Sequence, residues 1–140
     1  MEIVHLDGIR IFNDTYNANP DSMIAALRIL ATATVSGKRI AVLADMKELG
    51  RSSIDEHTRV GKEASSLSID YLLTIGEYAK QIHDAAKIEN KFHYDQKNIL
   101  AEYLHELLAP GDAVLVKGSR AMKMEDIVTF LQERVKSPKA

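Results

Sequence analysis

Three short stretches of this 140-residue sequence concentrate side chains that could bind an anionic small molecule. Residues 13–22 are rich in asparagine, aspartate and hydroxyl groups, and residues 45–50 contain two acids and a lysine. Residues 117–120, Lys-Gly-Ser-Arg, place two cations beside a glycine at which a ligand could approach the backbone. Cations and free backbone N–H groups at a helix start favour phosphate or carboxylate groups. Each stretch alone is also explained as a capped or glycine-containing turn, so both interpretations stay open at this point.

The segments between these stretches alternate between strand and helix patterns. Three short, nearly continuous apolar runs are typical of strands covered on both faces of a parallel sheet: residues 39–44, 71–75 and 113–116. Residues 2–6 and 9–12 flank Asp7-Gly8, which suits a type I′ turn and predicts an antiparallel hairpin. Residues 91–94 are a weaker candidate strand. Amphipathic patterns lie between the strands, so the sequence predicts an α/β fold with a doubly wound, mostly parallel sheet of about six strands, with helices on both faces.

Particular residues mark where helices begin, end and pack closely. Asn19 is suited to cap a helix with Pro20 in its first turn, and Gly37 is expected to end that helix. A later helix near residues 54–68 would turn Gly61 and other small residues inward, which predicts a close approach to the sheet.

Ligands of such sheets bind beyond the carboxyl ends of the strands. Because each polar stretch follows a predicted strand, we expect the three to meet at one edge and form a site for an anionic small molecule.

The composition argues against several classes of function. The 18 Lys and Arg against 20 Asp and Glu give a formal net charge of −2, which argues against a general nucleic-acid binder. The absence of cysteine removes disulfides, thiolate zinc sites and cysteine nucleophiles, and fits a reducing cytosol. The sequence has no apolar run of membrane-spanning length and no signal-peptide pattern at its start. We therefore expect one domain over residues 1–140, in the cytoplasm.

Several catalytic and nucleotide-binding signatures are absent. The sequence contains neither the P-loop pattern G-x-x-x-x-G-K-[ST] nor the dinucleotide pattern G-x-G-x-x-G, and it lacks G-x-S-x-G and H-E-x-x-H. The five histidines have no metal-ligand spacing, so no metal site is predicted. His57 is the one to note, because it follows the 45–50 stretch at the start of a helix.

The three polar stretches also carry a family likeness. They are Asp14-Thr15-Tyr16-Asn17-Ala18-Asn19-Pro20, then Ala44-Asp45-Met46-Lys47-Glu48-Leu49-Gly50, and finally Lys117-Gly118-Ser119-Arg120 followed by Met124-Glu125. In this order they resemble segments of the C-terminal domain of the Mur ligases. The first and last stretches are most similar to family members that add D-alanyl-D-alanine. Members that add the third amino acid of the peptide are similar to D-Y-A-H-T-P-D and K-G-H-E at these places.

The resemblance implies a Rossmann-like domain that is one of three in a larger enzyme. The other two would be a UDP-sugar domain and a central ATPase domain that carries the P-loop and most of the Mg²⁺ site. The implied reaction is ATP-dependent amide formation through an acyl phosphate, in which D-alanyl-D-alanine joins UDP-N-acetylmuramoyl-tripeptide during peptidoglycan precursor synthesis. The domain would close over ATP and help to bind the dipeptide. By itself it is expected to be inactive.

The resemblance also implies roles for single residues, and no catalytic residue is expected in this domain alone. The implied ATP-binding residues are Asp14, Tyr16, Asn17 and Asn19. The implied substrate-binding residues are Asn17, Asn19, Asp45, Lys117, Ser119 and Arg120.

Three alternatives remain at this stage. A phospho-receiver domain has a similar size and class, but residues 71–75 end in Gly76 where that domain needs an acceptor aspartate. A dinucleotide-dependent oxidoreductase domain is disfavoured by the missing glycine fingerprint. Another Mur-type or folylpolyglutamate-type ligase would share the fold and the ATP site, and only the details of the first and last stretches argue against it.

Overall fold

A computed structural model describes residues 1–136, so the last four residues of the predicted 1–140 domain lie outside the described part. The strands are β1 (Glu2–Leu6), β2 (Ile9–Asp14), β3 (Arg39–Ala44), β4 (Tyr71–Ile75), β5 (Asn90–Tyr94) and β6 (Ala113–Lys117). The helices are α1 (Pro20–Thr32), α2 (Ser53–Ser65), α3 (Ala79–Ala85), α4 (Lys97–Leu107) and α5 (Glu125–Lys136). Short 3₁₀ helices at Gly50–Ser52 and Arg120–Met122 precede α2 and α5.

The strands form one six-stranded sheet in the order β1-β2-β6-β3-β4-β5. β1 and β2 pair antiparallel, and Asp7 and Gly8 between them have φ of 50° and 81°, as the predicted type I′ turn requires. The other four pairs are parallel. The predicted mostly parallel sheet with an N-terminal hairpin is therefore confirmed. β6 comes last along the chain but lies in the middle of the sheet, between β2 and β3.

The sheet separates two apolar cores, because successive side chains of a strand point to opposite faces. On β6, Ala113 and Leu115 belong to one core, while Val114 and Val116 belong to the other. The first core contains the buried residues of α1, α2 and α3, and the second contains those of α4 and α5. Helices thus cover both faces, as the doubly wound prediction requires. Within residues 1–136, no helix has the length and apolar character to cross a membrane.

Two expectations about glycines are wrong in detail. α1 ends at Thr32, before Gly37, and Gly37 instead lies where a Cβ would overlap the carboxylate of Asp112 at the amino end of β6. Gly61 does mark a close approach, but the neighbour is α3 and not the sheet, since a Cβ there would overlap the carbonyl oxygen of Ile82. In both cases the glycine leaves room for a contacting residue that is distant in the sequence, so the local pattern does not reveal the contact.

Candidate functional site

The three polar loops meet at the carboxyl ends of adjacent strands. β2, β6 and β3 are neighbours, so the loops of residues 15–19, 118–124 and 45–52 leave the sheet side by side. The loops after β2 and β3 lead to α1 and α2 on one face, whereas the loop after β6 leads to α5 on the other face. Connections that diverge to opposite faces open a crevice at the switch point, where open α/β sheets bind their ligands. The prediction that these loops share one edge is confirmed.

Lys117, at the end of β6, ties the first loop to the sheet. Its Nζ donates to Asp14 Oδ2 at 2.8 Å and to the backbone oxygen of Asn17 at 2.9 Å. The Lys117 side chain is 2% exposed and that of Asp14 is 22% exposed. The cation that the sequence suggested for ligand binding is therefore engaged inside the protein. The acid retains access to the crevice.

The remainder of the first loop forms a helix start. Asn19 caps α1 in a capping box, in which its Oδ1 accepts from the Ser22 N–H at 2.9 Å while Ser22 Oγ accepts from the Asn19 N–H. This confirms the predicted cap. Asn17 Oδ1 accepts from the N–H of Ala18 at 2.8 Å, and the rest of its exposed side chain is available at the surface. The two asparagines thus give the loop a defined shape.

Tyr16 and Arg120 connect the first and third loops across the crevice. The Arg120 guanidinium lies 5.2 Å from the centre of the Tyr16 ring, within the range of a cation–π interaction. Both side chains are exposed, and Tyr16 is 73% exposed. Exposed pairs of this kind contribute about 0.5–1 kcal/mol, so a bound anion could draw Arg120 away at little cost.

Ser119 precedes Arg120 in the third loop, and its hydroxyl group is unused among residues 1–136. It is 5% exposed, its backbone N–H donates to the Asp45 carbonyl at 2.9 Å, and its Oγ has no hydrogen-bond partner within the described residues. A buried polar atom without a partner costs about 1–3 kcal/mol, which marks this hydroxyl as a candidate ligand contact. Gly118 permits this arrangement because a Cβ there would lie 2.7 Å from that of Ala44.

Asp45 has a structural role that the sequence left undecided. Its Oδ1 accepts from the N–H groups of Tyr78 at 3.0 Å and Ala79 at 2.7 Å, at the start of α3. Lys47 lies 3.5 Å from Oδ2, and Asp45 is 1% exposed. Gly76 makes room for this carboxylate, because its φ is +117° and a Cβ there would overlap it. The packing of Gly76 against Asp45 was not predicted, although a glycine directly after a strand was the available signal.

His57, in α2, holds the second loop, residues 45–52, through a hydrogen bond to its backbone. The Met46 N–H donates to His57 Nε2 at 2.9 Å, and His57 Nδ1 lies 2.6 Å from the carbonyl oxygen of Ser53. Because the Met46 nitrogen can only donate and the Ser53 oxygen can only accept, the ring proton is on Nδ1 and the imidazole is neutral. Burial lowers the pKa of His57 below its ordinary value of 6.5, which agrees with the neutral form.

The site residues thus divide into two groups. Asp14, Tyr16, Asn17, Asn19 and Arg120 have exposed or partly exposed side chains at the crevice. The Ser119 hydroxyl is buried and has no partner in the described part of the chain. Asp45 and Lys117 are buried and bound by protein partners. Their predicted contact with substrate stays a prediction, and the geometry favours an indirect role. Among residues 1–136, no three His, Cys, Asp or Glu side chains are grouped so as to hold a metal ion.

The fold and its loops define a doubly wound α/β domain with a ligand crevice at the topological switch point. The Mur ligase, glutamate ligase domain family matches residues 1–120. The chain belongs to this family, and the receiver and oxidoreductase alternatives are set aside.

Among curated relatives, the chain is 36% identical over 138 residues to the UDP-N-acetylmuramoyl-tripeptide--D-alanyl-D-alanine ligase of Bacillus subtilis (strain 168). It is 38% identical over 125 residues to the ligase of the same name from Escherichia coli (strain K12). The alignments cover 95% and 88% of this chain but only 30% and 27% of the relatives. The chain therefore spans less than a third of the length of these enzymes.

Solved structures agree with this assignment. The MurF ligase from Thermotoga maritima in complex with ADP superimposes with a TM-score of 0.82 at 28% identity, over 96% of this chain and 30% of that one. A crystal structure of MurF from Acinetobacter baumannii gives a TM-score of 0.85 at 29% identity, over 94% of this chain and 29% of that one. The similarity again corresponds to one part of a longer protein.

Proposed function

We propose that this chain is the C-terminal domain of an ATP-dependent peptide ligase that adds D-alanyl-D-alanine to UDP-N-acetylmuramoyl-tripeptide. The relatives that carry this name cover nearly all of the chain, and the Thermotoga maritima structure contains ADP. A UDP-sugar domain and a central ATPase domain would form the remainder of the enzyme. The reaction belongs to peptidoglycan precursor synthesis, and the cytoplasm, which holds ATP, is the compartment that we propose.

The observation that carries the proposal is the convergence of the three loops at the crevice. An acid, two asparagines, an exposed guanidinium and a hydroxyl that no described residue binds lie together at the carboxyl ends of β2, β6 and β3. This set suits a ligand with both hydroxyl and anionic groups, because carboxylates accept from hydroxyls while guanidinium and hydroxyl groups donate to anions. ATP and a dipeptide carboxylate have these groups.

Each crevice residue then has a specific role. Asp14 binds a ribose hydroxyl of ATP through its accessible carboxylate. Tyr16, Asn17 and Asn19 lie near the phosphates and the dipeptide, at the positive end of α1. Ser119 and Arg120 hold the carboxylate of the dipeptide, which gives the buried Ser119 Oγ a partner. These contacts position the reactants and stabilise negative charge, which is the main demand of phosphoryl and acyl transfer.

Magnesium is assigned to the central domain. Mg²⁺ at nucleotide sites is held by one or two carboxylates together with the phosphates, and the P-loop that binds those phosphates is expected in the central domain. The bound ion would neutralise charge on the ATP phosphates. The contribution of this domain is to close the crevice and exclude water around them.

The test is an amide-formation assay on the full-length gene product. It should release phosphate and form the product only when ATP, the UDP-linked tripeptide and D-alanyl-D-alanine are all present, whereas residues 1–140 alone should be inactive. Preference for a single amino acid or for a folate substrate would indicate another member of the wider ligase group. Turnover by the 140-residue chain would contradict the division into domains.

Variants of the full-length enzyme test the residue roles. Asp14→Ala and Asn17→Ala should each lower kcat/KM by about tenfold or more, since each removes a ligand contact. Asp55→Ala, on the exposed surface of α2, is the matched control and should change kcat/KM by less than about twofold. Unchanged kcat/KM in both Asp14→Ala and Asn17→Ala would refute the site assignment.

A further inference from the structure

Lys117 is a buried cation at the centre of the candidate site, and we propose that it is a positioning residue that acts through Asp14. In this assignment the ammonium orients the Asp14 carboxylate and the loop of residues 15–19 toward ATP without touching the nucleotide. The inference rests on the proposed function, because it names the nucleotide as the ligand of Asp14. It differs from the sequence-based expectation that Lys117 itself binds substrate.

The register of the sheet brings the two charges together. Asp14 and Lys117 are paired neighbours at the ends of the parallel strands β2 and β6. Counting in steps of two from Phe12 and Leu115 places both side chains on the face that carries α1. The Lys117 ammonium therefore points beneath the loop that leads from β2 into α1. Its second acceptor, the Asn17 backbone oxygen, lies in the middle of that loop.

The exposures of the two partners argue against direct contact between Lys117 and a ligand. At 2% exposure, the Lys117 side chain is closed to solvent, and two of its three ammonium hydrogens are directed to protein acceptors. Asp14 is 22% exposed, and no described residue donates to its Oδ1. A ligand in the crevice can therefore reach the Asp14 side chain, whereas the Lys117 side chain is covered by protein. Binding Oδ2 fixes the orientation in which Oδ1 is presented.

A buried ammonium also holds the loop in one conformation. A desolvated cation is stable only with its partners in place, so any loop movement that withdraws the Asn17 carbonyl or Asp14 leaves the charge uncompensated. The Asn17 side chain then accepts from the next backbone N–H, which sets the path into the α1 cap. Lys117 thus preorganises the ATP-binding segment before the nucleotide arrives.

A double-mutant cycle in the full-length enzyme distinguishes indirect from direct action. Lys117→Met and Asp14→Asn should each raise the KM for ATP by about tenfold, with kcat within about threefold of wild type. The double variant should fall well short of the roughly hundredfold product of the two single effects, because Lys117 reaches ATP only through Asp14 and the loop of residues 15–19. Additive effects, near a hundredfold in KM, would overturn the proposal. A KM within about twofold of wild type in Lys117→Met would overturn it too.

Lys38 supplies the matched control. It forms a similar ion pair with buried Asp112, 2.9 Å from Oδ2, but at the amino ends of the strands, far from the crevice. Lys38→Met should lower the melting temperature and leave the KM for ATP unchanged. An equal rise in KM in Lys38→Met would show that loss of stability alone explains the effect, and would overturn the proposal.

A second readout on residues 1–140 separates this proposal from the proposed function. Amide hydrogen exchange at Ala18, whose N–H is bound by Asn17, should accelerate by about tenfold or more in Lys117→Met and remain near wild type in Lys38→Met. If the wild-type gene product makes no amide, the proposed function is refuted. The exchange measurement does not depend on that activity, so it still tests whether Lys117 positions the loop. Unchanged exchange at Ala18 in Lys117→Met would overturn the positioning role.

Discussion

Replacing His57 with glutamine should remove a defined part of the pH dependence of stability. The neutral ring accepts a hydrogen bond from the Met46 N–H and donates one to the Ser53 carbonyl, and the side chain is fully buried. Protonation would place an N–H on Nε2 facing the Met46 N–H, which sets two donors against each other. Asp45, Lys47 and Glu56 also act on the ring, but burial is the largest cause of its lowered pKa.

The direction of the effect follows from that lowered pKa. As the pH falls below the ordinary value of 6.5, the unfolded chain takes up a proton at His57 before the folded chain does. The contribution of a neutral His57 is therefore complete above about pH 6.5 and is lost as the pH falls toward the folded-state pKa. The steepest loss is about 1.4 kcal/mol per pH unit, which amounts to at most about 1 kcal/mol between pH 6.5 and pH 5.5.

The glutamine variant should show a gap in stability that narrows with acid. At about pH 8, His57→Gln should unfold with about 1–3 kcal/mol less free energy than wild type, because the glutamine amide does not have the shape of the ring and cannot keep both the bond from the Met46 N–H and the bond to the Ser53 carbonyl. Between about pH 8 and about pH 5.5 the gap should shrink by up to about 1.4 kcal/mol. The pKa of His93 is also lowered by burial, but His93 is present in both proteins and cancels from the difference.

Urea unfolding followed by circular dichroism, repeated across this pH range, measures the gap directly. His5→Gln, at an exposed ring in the hairpin, is the control for the substitution itself and should change the free energy of unfolding by less than about 0.5 kcal/mol. A constant gap between His57→Gln and wild type from about pH 8 to about pH 5.5 would refute the assignment of a neutral, hydrogen-bonded imidazole.

Three further substitutions test contacts that shape the site. Asp45→Ala should lower the free energy of unfolding by about 2–3 kcal/mol in urea titrations, because two backbone N–H groups at the start of α3 lose their acceptor, while Asp55→Ala should change it by less than about 0.5 kcal/mol. Asn19→Ala should cost about 1 kcal/mol through loss of the capping box, seen as a lower melting temperature. Gly61→Ala would strengthen an ordinary helix, but the overlap with the Ile82 carbonyl should instead cost about 1–3 kcal/mol, and a raised melting temperature would contradict this packing.

The strands that are buried on both faces were predictable, because they form nearly continuous runs of apolar residues. The predicted runs 39–44 and 71–75 coincide with β3 and β4, since strands in the middle of a parallel sheet are apolar at nearly every position. β5 gave a weaker signal because it is an edge strand without a fully buried residue, and its Phe92 is exposed. The sheet order was beyond prediction, because no local pattern shows that β6 lies between β2 and β3.

The site was predictable as a set of loops but not as a set of roles. Asp14 and Asp45 both lie at or just after the end of a buried strand and have the same chemistry, yet Asp14 faces the crevice while Asp45 caps α3. The difference comes from a tertiary neighbour, Gly76, which makes room for the Asp45 carboxylate. In the same way, the burial of Lys117 depends on a strand pairing with β2 that is distant in sequence.

The central position of β6 also determines when the crevice can exist during folding. Asp14 and its partner Lys117 are 103 residues apart in the chain, and β6, which carries Lys117, is the last of the six described strands in chain order. A nascent or truncated chain that ends before residue 113 has β2 and β3 but nothing to insert between them. Closing so long a loop is a slow, late event in folding. Competence for ligand binding would therefore appear together with completion of the sheet, and a chain cut short would lack the site altogether.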